Sequence, residues 1–221
     1  MRFFPTTVVD DFFPDPDYVA DLARNVEYLE KDLQYYPGNI SKQRLHQIDR
    51  NLYEFVIDKI VSFFWDAQYH NLNCESKIDF QKIEPYPDKD CILNKGTIHS
   101  DIQSISLAGV VYLNKNPSKD SGTSIYEIKN SYYQPAKDYK DALGKHNRGD
   151  DVENIEKIFQ NHYDNFEETV RIQNKYNRLV LYSPELWHSA TGFGEKQTRH
   201  TLRLFIHYLG SRDQNYPLAR R

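Results

Sequence analysis

Three observations predict a mostly β fold with flanking helices, an α+β chain. Helical periodicity occupies the first third of the sequence, the period falls from 3.6 to 2 after Ile78, and the last recognisable strand has one apolar and one polar face. Asp15-Pro16-Asp17 reads as a helix start, with proline in the first turn and acids at the positive end of the helix dipole. Val19, Leu22, Ala23, Val26 and Leu29 then share one face. From about 42 to 69 a second, longer helix carries Leu45, Ile48, Leu52, Phe55, Val56, Ile60 and Phe63 at similar spacing. The clearest strands are 104–113 (SISLAGVVYL), 178–182 (RLVLY) and 199–209 (RHTLRLFIHYL). In the last, Leu202, Leu204, Ile206 and Tyr208 point one way and Arg199, Thr201, Arg203, Phe205 and His207 the other. One face suits a helix layer and the other a polar interior.

At 221 residues the chain is the size of one large domain, 1–221, and is long enough to bury a core without staples. Between about 127 and 176 lies a charged, Tyr-rich stretch with an amphipathic helix at Val152, Ile155, Ile158, Phe159 and Phe166. It reads as an insertion between strands, either a lid or a peripheral helical excursion. The net charge of −4 argues against nucleic-acid binding through a basic face. Cys74 and Cys91 form no disulfide framework and no paired CxxC zinc pattern. The opening MRFFPTTVVDDFFPDPD has no signal-peptide apolar region, and no run approaches the roughly 20 residues that span a bilayer. A cytoplasmic protein without a membrane partner is expected. Aromatic residues are the deviation, 17 Tyr, 12 Phe and 2 Trp beside 9 Gly and 1 Met. Rings are expected to build the core and part of a ligand surface.

Chemistry concentrates in His99-Ser100-Asp101, followed by Trp187-His188 and then Arg199. Residues i and i+2 of a strand share a face, so His99 and Asp101 can bind one ion together, with His188 as third ligand. Two histidines and a carboxylate form the facial triad that leaves positions open on non-heme Fe(II). A lone His-x-Asp is weak, because 8 His and 20 Asp in 221 residues produce about 0.7 such pairs by chance. Context strengthens it: His188 follows the 178–182 strand, and Arg199 opens the last strand 11 residues later across Gly192-Phe193-Gly194. A guanidinium entering a polar interior there demands a carboxylate partner. Arg203 lies on the same strand face four residues on, where it can reach substrate or a buried acid. His46, His70, His146 and His162 read as surface or core-edge residues, while His207 shares the Arg199 face deeper along the strand.

The order His99-Ser100-Asp101, Tyr112-Leu113-Asn114, Ser121-Gly122-Thr123, His188 and Arg199-His200-Thr201-Leu202 resembles the 2-oxoglutarate/Fe(II)-dependent dioxygenases, in their prolyl 4-hydroxylase-like branch. The opening VVDDFFPDPDYVADLA is similar to the leading strand and helix of those enzymes, and the match is weakest over 30–90 and 127–176. Where the family often has two glycines in the turn, this chain has Gly122 followed by Thr123. The resemblance implies a double-stranded β-helix, or jelly roll, with the N-terminal helices packed on the major sheet. It also implies Fe(II) on His99, Asp101 and His188, and Arg199 pairing with the distal carboxylate of the cosubstrate 2-oxoglutarate. The family's Arg-x-Ser/Thr-Leu pattern selects Arg199 over Arg203. Tyr112 is implied to donate a hydroxyl hydrogen bond to the cosubstrate. Arg203, Trp187 and Tyr126, the last within a cluster with Tyr132, Tyr133 and Tyr139, are candidates to line a substrate pocket.

The implied activity is hydroxylation of a peptidyl residue such as proline, or of a small metabolite, by O₂, with succinate and CO₂ as coproducts and ascorbate in support. A non-catalytic cupin-like jelly-roll module is the alternative, with the same residues holding a structural metal or none. A metal-dependent hydrolase or isomerase shares the ligands but wants a general base nearby.

Overall fold

The computed structural model describes residues 6–30, 38–64, 72–85, 92–101, 105–118, 120–129, 132–133, 137–147, 152–193 and 197–211. Cys91, His70 and Ser104 lie outside the described residues.

Strand β1 (Thr7–Val9) leads into helix α1 (Pro16–Asn25), which starts where the sequence places it. Asp15 caps it by accepting from the Tyr18 amide at 3.1 Å, and Pro16 supplies a helix-compatible φ in the first turn. Strand β2 (Asn39–Ile40) follows. The single helix expected over about 42–69 is two, α2 (Leu45–Ile48) and α3 (Arg50–Phe64), and 65–69 are outside the described residues. The break is at Asp49, whose backbone is extended (φ −149°, ψ 104°). Its carboxylate accepts from the Leu52 amide at 3.0 Å and the Tyr18 hydroxyl at 2.8 Å, so it caps α3 instead of continuing α2.

The remaining strands are β3 (Leu72–Ile83), β4 (Leu107–Tyr112), β5 (Gly122–Ile128), β6 (Phe166–Gln173), β7 (Leu179–Tyr182), β8 (Trp187–Ala190) and β9 (Arg199–Ser211). They form a six-stranded sheet in the order β1-β7-β4-β9-β3-β2 and a three-stranded sheet in the order β6-β5-β8. Every pairing is antiparallel. This is the expected jelly roll.

Alternation along β9 decides what each face of the large sheet meets. Leu202, Leu204 and Ile206, with Ile78, Phe80, Leu107, Val111, Leu179 and Leu181, pack against Val19, Ala20 and Ala23 of α1 and Val56, Ile60 and Phe64 of α3. Each of these Val, Leu, Ile and Phe side chains contributes about 1.5–3 kcal/mol on removal from water. The opposite face carries Arg199, Thr201, Arg203 and Phe205 into the interior between the sheets, where Ala108, Tyr112, Ile172, Val180 and Tyr182 form a smaller cluster.

Segment 127–176 is not helical throughout. Helices α4 (Lys137–Asn147) and α5 (Ile155–Tyr163) are followed by β6, and Phe166, expected on a helix, is the first residue of that strand. Five successive residues of β6 are exposed, so its burial lacks the alternation of a half-buried strand. Among the described residues no helix is long and apolar enough to cross a membrane.

Candidate active site

Strand β8 carries His188, and the segment ending in Asp101 runs beside it. The two histidines face each other as an isolated antiparallel bridge, with His99 N–H to His188 O at 3.0 Å and His188 N–H to His99 O at 2.8 Å. The Asp101 amide donates to Pro184 O at 2.8 Å, so the third residue is tied to the loop that leads into β8. Gly96 permits the close approach, because a Cβ there would lie 2.5 Å from the Ala190 nitrogen.

Each imidazole is oriented by a backbone carbonyl two residues before it. His99 Nδ1 lies 2.7 Å from Thr97 O, and His188 Nδ1 lies 2.8 Å from Leu186 O. A carbonyl only accepts, so both Nδ1 atoms carry the proton and both Nε2 atoms present a lone pair. Those lone pairs converge on Asp101, at 3.7 Å from Oδ1 for His99 and 3.6 Å from Oδ2 for His188. One ligand atom from each residue lies within 4.8 Å of the others. Asp101 Oδ2 is buried without a hydrogen-bond donor. Two imidazole nitrogens and a carboxylate facing one another form a donor set that a divalent cation satisfies, and two imidazoles with one carboxylate suit Fe(II). Burial pushes the His188 pKa down to about 3, aided by His99, and so keeps the ring neutral. Burial also raises that of Asp101, against the pull of His99 and Arg203.

The triad opens into a cavity of about 130 Å³ that Arg199 and Arg203 also line. Arg199 is 5% exposed and has weak contacts, to Gly192 O and Gly122 O, both at 3.3 Å. Its Nε is buried without a partner. Among the described residues no carboxylate pairs with it, and burial lowers its pKa. Arg203 differs: Nε and Nη2 reach Asp79 Oδ1 at 2.9 and 2.8 Å, and Asp79 is 2% exposed. The partner-seeking guanidinium is therefore Arg199, and Arg203 is held by a buried acid.

Three expected contacts fall elsewhere. Tyr112 is fully buried and does not line the cavity; its hydroxyl is 2.6 Å from Thr123 Oγ1, and its ring lies 5.5 Å from the Arg199 guanidinium. Thr123, not Tyr112, lines the cavity. Trp187 precedes His188 and so faces the other side of β8, where it packs on Phe166 at 5.0 Å. Tyr126 pairs with Trp187 in the β5–β8 register, and its hydroxyl accepts from Ser189 Oγ at 3.2 Å. Neither lines the cavity.

His162, expected at the surface or core edge, is 1% exposed. The signal was available, since Ile155, Ile158, Phe159 and His162 stand at i, i+3, i+4 and i+7 of one helix face.

Residues 4–198 match the model of a family described as a family of unknown function, DUF6445. No curated protein matches the chain. Among solved structures it is similar to HygX from Streptomyces hygroscopicus with nickel and 2-oxoglutarate bound (9% identity, 98% of this chain and 85% of that one, TM-score 0.56). It is also similar to a prolyl hydroxylase from Trichoplax adhaerens in complex with a hypoxia inducible factor peptide fragment (12% identity, 91% and 82%, TM-score 0.53). A third is SnoN, a non-heme alpha ketoglutarate dependent epimerase from nogalamycin biosynthesis (12% identity, 93% and 79%, TM-score 0.51). The shared feature is the fold, that of the 2-oxoglutarate/Fe(II) oxygenases.

Proposed function

The chain belongs to the DUF6445 family, whose function is unknown, and we propose that it is a 2-oxoglutarate- and Fe(II)-dependent oxygenase hydroxylating a peptidyl residue or a small molecule. The observation that carries this reading is that His99, Asp101 and His188 share one cavity with Arg199, a buried guanidinium that has no carboxylate among the described residues. His99 Nε2, His188 Nε2 and Asp101 would hold Fe(II). Arg199 would pair with the distal carboxylate of 2-oxoglutarate, and Thr123, set by the Tyr112 hydroxyl, would offer that carboxylate a second donor. When bound, Fe(II) would supply the oxygen activation that couples decarboxylation of 2-oxoglutarate to substrate oxidation.

The chain's own contribution is orientation and exclusion of water. Backbone carbonyls hold both imidazoles with Nε2 inward, while Phe193, Val110, Tyr182 and Phe205 wall the cavity. A binding-only module has no use for a buried cation awaiting an anion. A hydrolase wants a general base, and among the described residues lining the cavity the only carboxylate is Asp101, already committed to the metal.

The test is a titration of the Fe(II)-loaded protein with 2-oxoglutarate under anaerobic conditions, followed by succinate measurement in air with ascorbate and candidate peptides or metabolites. The expected result is metal-dependent binding of 2-oxoglutarate and succinate release stimulated by a substrate. Absence of 2-oxoglutarate binding by metal-loaded protein overturns the assignment.

A further inference from the structure

Among the described residues, α4 and α5 contribute none to the cavity lining. They pack on each other, with Tyr139 and Phe159 buried and Ile92, Leu143, Ile155 and Ile158 around them, and they meet the small sheet where His162 lies on Phe166 at the start of β6. From that side α5 reaches the ligand-bearing segment. His162 Nε2 lies 2.8 Å from Ile98 O, and the Tyr163 hydroxyl donates to Gly96 O. Because His99 exchanges both of its backbone bonds with His188, the carbonyl of its neighbour Ile98 faces away from β8. His162 is the donor that Ile98 O meets on that side.

The His162 ring is itself fixed from several directions. Nδ1 accepts from the Tyr133 hydroxyl at 2.8 Å, the ring lies flat on Tyr139 of α4 (centroids 3.8 Å apart, 14° between planes), and Phe166 of β6 packs on it at 4.9 Å. We propose that His162 is a positioning residue for the metal centre, and that α4 and α5 form a strap behind the ligand-bearing segment and not a lid over the cavity. This rests on the reading of His99, Asp101 and His188 as metal ligands. His162 fixes the Ile98 carbonyl, hence the backbone entering His99, hence the distance at which His99 Nε2 meets the ion. Linkage then runs both ways: a metal held in front favours the docked strap behind, and a loosened strap weakens the metal.

The test uses the full chain, with Co(II) affinity and thermal stability measured for His162→Phe, which keeps a ring and loses the donor, and His162→Gln, which keeps an amide donor and loses the ring. His162→Phe is expected to bind Co(II) about 10-fold more weakly, the lower end of what outer-shell changes cost, while His162→Gln recovers most of the affinity whatever its melting temperature. Hydrogen exchange of residues 155–163 in the unaltered protein is expected to slow when Co(II) saturates the site. Unchanged affinity in His162→Phe, or a Gln variant weaker than the Phe variant, overturns the proposal. If His162→Phe does not fold, exchange in the unaltered protein decides: protection that does not respond to bound Co(II) overturns it. Failure of the unaltered protein to bind Co(II) overturns the metal reading together with this one, whereas binding to which α5 is indifferent overturns only the strap.

Discussion

His99 and His188 sit directly opposite each other and exchange both backbone hydrogen bonds, at 3.0 and 2.8 Å, so a strand pairing sets the spacing of the two imidazoles. Residues 89 positions apart in sequence are thereby brought to ring centroids 4.5 Å apart, with each Nδ1 tied to its own chain. The backbone holds the two imidazoles in place, and the cost is three acceptors facing one another.

Asp101→Asn measures that cost. An asparagine amide can donate to the Nε2 lone pairs where the carboxylate can only face them, and it removes the buried oxygen that has no donor. In the presence of chelator this variant is expected to melt no lower than the unaltered protein, and higher by as much as about 1–3 kcal/mol of stability allows. Its affinity for Fe(II) or Co(II) is expected to fall at least about 100-fold, since one anionic ligand is lost. Thermal unfolding with chelator and a metal titration check both halves, and a large loss of chelator-state stability contradicts the reading.

Arg199→Gln is expected to lower 2-oxoglutarate affinity about 100-fold, the scale of a lost charge-assisted pair, while leaving metal affinity unchanged. Arg199→Lys keeps the charge without the planar fork and is expected to fall between the two. Ligand binding raises the melting temperature in proportion to the logarithm of occupancy, so millimolar 2-oxoglutarate should shift the unaltered metal-loaded protein and not Arg199→Gln. An equal shift in both would assign the cosubstrate carboxylate elsewhere.

What could be read in the sequence follows from how local each signal is. His99 with Asp101, and the interval from His188 to Arg199, are short-range patterns, although His99 proves to be an isolated bridge and Asp101 lies in no strand, and the facing of Arg199 and Arg203 follows from the two-residue period of β9. Strand β3 shows less in the sequence, because its inward face carries Lys77, Asp79 and Gln81, polar side chains whose place is explained only once Arg203, 124 residues away, lies beside Asp79. The aromatic excess divides the same way: Phe55 and Phe63 pack beside the helix core as expected, but Tyr126, Tyr133, Tyr139 and Trp187 belong to the outer face of the small sheet and not to the cavity. No local pattern distinguishes a ring that faces a ligand from one that faces a covering helix.

Asp10 supplies a test by pH. Its carboxylate meets Arg178 at 2.6 Å and Lys175 at 2.9 Å, and these bonds, that to Arg178 first, hold its pKa well below the ordinary value of 3.8. A carboxylate depressed in the folded state stabilises above its unfolded pKa, and the contribution disappears as pH falls through the folded value. The melting-temperature gap between the unaltered protein and Asp10→Asn is therefore expected to be full near pH 7 and to narrow from about pH 5 downwards. A gap that stays constant into the acid range would mean that the contact does not depend on the carboxylate charge.

Arg203 and Asp79 behave oppositely to Arg199, because here both charges are buried and both are satisfied by each other. Removing one partner strands the other: Arg203→Met leaves a carboxylate that is 2% exposed with its guanidinium gone, which is expected to cost about 3–5 kcal/mol. Replacing both, as Arg203→Met with Asp79→Leu, is expected to recover most of that loss, since a desolvated pair contributes little beyond an apolar pair of similar volume. Denaturant unfolding of the two single variants and the double variant measures the coupling directly. If Arg203→Met alone is neutral, Asp79 has another donor in the fold, and the separation of roles between the two arginines of β9 would have to be redrawn.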